Sequence, residues 1–186
     1  VRDLPKGFAN LPASMGAAGY QTFHVGKKGN TDEEVQALFE ESCYVKPKRS
    51  VGALPKNSDD LVRLEGLPGE HVADAAIGFL GRRDRGRPFF MYVAGPEPHD
   101  PRVAPKAYLD RYAVEKMVLP PSFLPHHPFD NGELLIRDER LAGWPRGERE
   151  IRGHLRDYYA VISYMDGQFG RIFEALKDCG DYENTI

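Results

Sequence analysis

Residues 69–96, GEHVADAAIGFLGRRDRGRPFFMYVAGP, carry the pattern that decides the fold. Val72, Ala75, Ala76, Ile77, Phe79 and Leu80 keep a helical period, and Arg82, Arg83 and Arg85 follow where a helix C-terminus favours cations. Pro88 then starts a different element. Phe89-Phe90-Met91-Tyr92-Val93-Ala94 is apolar at every position, the pattern of a central strand covered on both sides, and Gly95-Pro96 ends it. A helix followed by a buried strand predicts an α/β fold, a mostly parallel sheet with helices on both faces.

Upstream, Ser14 to Ala18 reads as a short helical piece ended by Gly19, and Tyr20 to Val25 as a strand stopped by Gly26. Downstream, Ile151, Leu155, Tyr158, Ile162, Met165, Phe169, Ile172 and Leu176 step by 4, 3, 4, 3, 4, 3, 4, one stripe along a long helix. A coiled coil would use the same spacing, but Gly167 and Gly170 favour packing against a sheet. Gly180 caps the helix, and residues 181–186 read as a turn toward a further strand. Between these elements, residues 112–146 carry Pro120, Pro121, Pro125, Pro128 and Pro145, which deny them long helices or central strands. They form a proline-rich loop insertion in what otherwise reads as a single domain over residues 1–186, incomplete at both ends.

The 186 residues are 41% hydrophobic, enough for a core, and the net charge of −3 gives no cationic field for nucleic acid. The longest wholly apolar run is the six residues of Phe89–Ala94, where a membrane span needs about twenty. Two cysteines, Cys43 and Cys179, make neither a disulfide framework nor a zinc knuckle. Val1 opens the chain without a basic and then apolar leader, so the natural N-terminus is expected to lie upstream.

In α/β sheets ligands bind at the C-terminal ends of the strands. Two segments bring charge there. Gly26-Lys27-Lys28-Gly29-Asn30 offers an ammonium and close-approaching amides, and Gly95-Pro96-Glu97-Pro98-His99-Asp100-Pro101 holds an imidazole in a proline-stiffened loop. Lys27 and His99 together suit a tetrahedral oxyanion, sulfate or phosphate; solvated turn lysines and a capped loop histidine are the plainer reading. His126, His127 and Asp130 are residue types that bind zinc, but adjacent histidines point apart, and a substrate-pocket role for this loop is favoured over metal. Asp157 and Asp166 fall on opposite helix faces and make no acid/base pair. Arg82, Arg83, Arg85 and Arg87 read as a solvated helix end that could also meet a sulfated polymer.

Four segments, in order, resemble the sulfatase family of the alkaline phosphatase superfamily. Gly19-Tyr20-Gln21-Thr22-Phe23-His24-Val25-Gly26-Lys27 is similar to G-Y-x-T-x-x-x-G-K; Arg87-Pro88-Phe89-Phe90-Met91-Tyr92-Val93 with Pro98-His99-Asp100-Pro101 is similar to R-P-F-F-L-Y-x…P-H-x-P. Leu119–Pro125 with His127–Glu133 resembles a loop of some bacterial sulfatases, and Tyr158–Ala160, Asp166, Gly170–Ile172 and Tyr182–Ile186 resemble the helix and turn before the metal-binding D-H-G strand. The resemblance implies the central part of a sulfuric ester hydrolase that acts on a sulfated small molecule or glycan. It implies sulfate contacts for Lys27 and His99, a substrate contact for His127, calcium and formylglycine as cofactors of the whole enzyme, and a periplasmic or secreted location. A phosphodiesterase or phosphonate hydrolase of the same superfamily, or a non-catalytic glycan-binding relative, are the alternatives. Departures matter. Neither Cys43 nor Cys179 stands in C-x-P-x-R, the paired aspartates of the first strand and the D-H-G strand are missing, and Lys28-Gly29 replaces Trp-His. These 186 residues alone are therefore expected to be inactive and to bind no metal at the family's usual site.

Overall fold

In the computed structural model of the chain the described residues are 9–26, 37–44, 67–99, 102–134 and 141–186. They fall into two compact units, one built from residues up to 44 with 67–97 and 165–186, the other from 98–164.

The first unit opens with helix α1 (Leu11–Ala17), started by the Asn10 side chain, which accepts the Ala13 N–H at 3.0 Å. Gly19, at φ +90°, turns the chain out of it into strand β1 (Gln21–Gly26). Strand β2 (Glu41–Tyr44), helix α2 (Pro68–Arg82) and strand β3 (Phe89–Ala94) follow. The sheet is parallel in the order β2-β1-β3, and Gln21 pairs with Phe89 and Gly26 with Ala94. The α/β fold expected from the sequence is present. The fully buried central strand, however, is β1 rather than β3: β3 ends the strand order among the described residues and leaves Tyr92 half exposed. The short β2 has no apolar run and is invisible in the sequence; its pairing with β1 makes it a strand.

Strand alternation sends Phe23 and Val25 to one face, where both are sealed from solvent. Phe23 stacks on Phe79 of α2 with ring centroids 4.5 Å apart, and Val72, Ala73, Ala76 and Leu80 of α2 complete the layer with Ile172 and Leu176 of the last helix, α4 (Glu148–Asp178). The helix periodicity read from the sequence thus names most of this core. Arg83, its side chain 4% exposed, pairs with Asp181 and lies over the Phe89 ring, while Arg85 donates to the Cys179 carbonyl. Arg83 is thus structural, while Arg82 and Arg85 are exposed, as expected of a solvated helix end. Gly180, at φ +77°, ends α4, and residues Tyr182–Asn184 form a 3-10 turn.

The second unit contains the short helix α3 (Lys106–Leu109), a 3-10 turn (Val114–Lys116) and the N-terminal part of α4. From Met117 to Gly147 the described residues form neither helix nor strand, as the prolines require. Its buried residues on α4 are Ala160, Val161 and Tyr164, so here burial departs from the predicted stripe, and Tyr158 is exposed. The reason is aromatic packing: Tyr164 meets Tyr108 edge-on at 5.5 Å, and Tyr112 lies against Tyr159 with its hydroxyl 2.5 Å from Ser163 Oγ.

Phe23 is the side chain that joins sheet to helices in the first unit. Replacing it with Ala should cost about 3–5 kcal/mol in urea unfolding, the range for emptying a buried aromatic site. A loss under about 1 kcal/mol would mean that the Phe23–Phe79 stack does not carry this core.

Candidate functional site

The strands of the first unit are pinned at their N-terminal edge. Arg87 donates to the carbonyls of Gly19 and Tyr20 and to Glu40, and Gln21 and Asp84 exchange two hydrogen bonds, 2.7 Å from the amide to the Asp84 carbonyl and 3.0 Å from the Asp84 N–H to Oε1. With that edge fixed and Gly26 paired with Ala94, β1 and β3 finish together at the opposite edge. The fit there is close. A Cβ on Gly26 would stand 2.9 Å from the Ala94 carbonyl oxygen and 3.2 Å from His24 Nε2, so only glycine allows the parallel strands to pair to their ends.

His24 was not singled out in the sequence, yet it is the most enclosed titratable side chain of β1, 1% exposed on the sheet face opposite Phe23. Its Nδ1 lies 2.9 Å from Ser42 Oγ, and the rings of Phe39, Tyr44 and Tyr92 surround it, Tyr92 stacked at 5.6 Å. Burial among these rings pushes its pKa below the ordinary histidine value. The alternation of β1 was the available signal: a histidine between Phe23 and Val25 must occupy the other face.

Beyond β3 the chain runs through Gly95 and Pro96 to Glu97. One Glu97 oxygen accepts the Gly69 N–H in the first turn of α2 at 3.0 Å; the other is enclosed with no hydrogen-bond partner among the described residues. Loss of water around it raises the pKa of the Glu97 carboxyl.

Of the residues proposed from the sequence, Lys27 and its neighbour Lys28 lie outside the described residues. His99 is exposed in the turn that begins the second unit. His127, in the same unit, is half-buried between Phe129 at 5.5 Å and Trp144 at 5.7 Å, while His126 stacks on Trp144 at 5.8 Å and Arg146 lies over that indole at 4.4 Å. Ring packing therefore occupies both histidines, and among the described residues no cluster of three or more His, Cys, Asp or Glu could hold a metal. Cys43 sits on β2 beside the core, where burial raises its thiol pKa, so it lacks the activated setting of a nucleophile. The described residues do not fit calcium or formylglycine.

The first unit is a parallel α/β arrangement with β1 and β3 ending at one edge of the sheet. The family model for sulfatases matches residues 2–186, and the chain belongs to the sulfatase family. It is 30% identical over 119 residues to an arylsulfatase of Clostridium perfringens and 30% identical over 138 residues to the iduronate 2-sulfatase of Mus musculus, in each case over 64% of this chain and 24% of the relative. Among solved structures, a protein in complex with its substrate D-glucosamine-2-N,6-O-disulfate superposes with a TM-score of 0.62 at 18% identity, covering 94% of this chain and 47% of that one. The phosphonate monoester hydrolase of Agrobacterium radiobacter also gives 0.62, at 17% identity, covering 96% and 46%. The chain thus spans under half of these solved structures and matches about a quarter of each curated relative.

The neutral burial of His24 makes stability depend on pH. An unfolded histidine takes up its proton near pH ~6.5, whereas folded His24 resists until lower pH, so the stability present above ~6.5 is lost as pH falls through the folded value. The gap in Tm between the wild type and His24→Gln should therefore be wider at neutral pH than in mild acid. An equal gap at both would mean that His24 does not carry this penalty.

Proposed function

We propose that the full-length protein hydrolyses a sulfate ester of a small molecule or glycan, with Lys27 and His99 as its sulfate contacts. The register pair Gly26 and Ala94 carries the reading, because Lys27 follows β1 in sequence and the loop leading to His99 follows β3, and these strands end at one edge of a parallel sheet. An ammonium at Lys27 would polarise a sulfate oxygen and stabilise charge that develops in the transition state. The His99 imidazole would donate a hydrogen bond to the sulfate or to the departing oxygen. His127, held between Phe129 and Trp144 with Arg146 over the indole, would meet the organic part of the substrate. Family membership supports metal dependence of the whole enzyme, with calcium and formylglycine as the pair the family would supply.

A phosphonate monoester is the second substrate class, favoured by the fold shared with the Agrobacterium radiobacter hydrolase. Comparing kcat/KM for an aryl sulfate and an aryl phosphonate monoester on the full-length protein decides between them.

In the same assay Lys27→Ala and His99→Ala should each lose about 2–4 kcal/mol of transition-state stabilisation, the scale of one preorganised donor. Lys28→Ala should lose well under about 1 kcal/mol, as for a solvated charge. Equal losses at Lys27 and Lys28 would reduce the turn to a diffuse positive field and remove the individual role of Lys27.

A further inference from the structure

Helix α2 begins without a cap of its own. Leu67 at its N-cap has no side-chain oxygen, and Pro68 has no N–H to satisfy, so the first orphan donor of the helix is the Gly69 N–H. The oxygen that meets it comes from 28 residues further on: Glu97, just past β3, accepts that N–H at 3.0 Å at the positive end of a 15-residue helix. The carboxylate's other oxygen lies beside Gly95, where a Cβ would stand 3.3 Å from Oε2. Around it lies a recess lined by Gly69, Val72, Gly95, Phe169 and Ile172, with a volume of about 10 Å³. A recess of that size takes about one water, and nothing in it marks Glu97 as a substrate contact. Its effect has to pass along the chain. Pro96 and Pro98 flank it, fixing φ on either side, and His99 follows two residues later.

We propose that Glu97 is a positioning residue for His99: its grip on the Gly69 N–H ties the loop after β3 to the first turn of α2 and so fixes where the chain delivers the imidazole. The inference rests on the reading of His99 as a sulfate contact. It separates two properties of the side chain, reach and charge. Gln has the length and an oxygen for the Gly69 N–H but no charge, whereas Asp keeps the charge and is one methylene too short.

The test is a double-mutant cycle on the full-length protein, with kcat/KM for an aryl sulfate as the readout and thermal melting as the check on folding. Glu97→Ala should lower kcat/KM by about 10- to 100-fold, the range for small misplacement of a reacting group, and Glu97→Asp should follow it, while Glu97→Gln retains most of the activity. In the His99→Ala background, Glu97→Ala should cause no further loss. If Glu97→Ala melts too early to assay, the Asp and Gln pair carries the same decision. Additive losses at Glu97 and His99, or an active Asp with an inactive Gln, would overturn the proposal and leave the His99 reading standing. An unchanged His99→Ala enzyme would instead remove the His99 reading, and the role of Glu97 with it.

Discussion

The parallel pairing of β1 with β3 is the constraint on which the first unit depends. It runs from Gln21 opposite Phe89 to Gly26 opposite Ala94, so it sets both faces of the sheet and the edge at which the loops leave. On one face it presents Phe23 and Val25 to α2 and α4; on the other it presents His24 to Phe39, Tyr44 and Tyr92. A slip by one residue would exchange these faces, burying an imidazole among aliphatic side chains and turning Phe23 away from Phe79. Arg87 and the Gln21–Asp84 pair oppose that slip at one end, and the glycine at position 26 permits full pairing at the other.

Helix α4 works differently in each unit. Its C-terminal part gives Ile172 and Leu176 to the layer under the sheet, and its N-terminal part gives Ala160, Val161 and Tyr164 to a unit that also carries two tyrosine–tyrosine contacts. The second unit has little regular structure between Met117 and Gly147, and side chains take over the role of ladders there: Arg152 donates to the Met117 carbonyl, and His126, Trp144 and Arg146 stack in sequence. Fixed local packing of this kind can present His127 reproducibly without a helix or strand beneath it.

The chain belongs to the sulfatase family, and the proposed anion contacts follow strands that end at one edge of its sheet. In the proposed reading, anion chemistry needs donors held still against a negatively charged group: His99 comes two residues after Glu97, which accepts the Gly69 N–H of α2, and Lys27 follows a glycine whose close fit lets β1 pair with β3 to its end. Among the described residues no group of three or more His, Cys, Asp or Glu could hold a metal ion.

Much of this was legible in the sequence because period and punctuation are local properties. The helical spacing of Val72, Ala76, Phe79 and Leu80, the apolar run of Phe89–Ala94, the 4, 3 steps from Ile151 to Leu176, and the glycines at 19 and 180 each report on neighbours within a few residues. The resemblance carried by Gly26-Lys27 and Pro98-His99 likewise marked the family. What the sequence could not supply were relations between distant segments. That Glu41–Tyr44 is a strand depends on β1 beside it, and that β1 rather than β3 is central among the described strands depends on strand order. Arg83 reads from the sequence as part of a solvated helix end, but Asp181 and Phe89 lie against it; that Glu97 meets the Gly69 N–H likewise depends on the tertiary structure. Hydrophobic period determines which face of an element is buried; only tertiary structure decides which polar groups that burial brings within hydrogen-bonding distance, because those partners lie 28 to 98 residues apart along the chain.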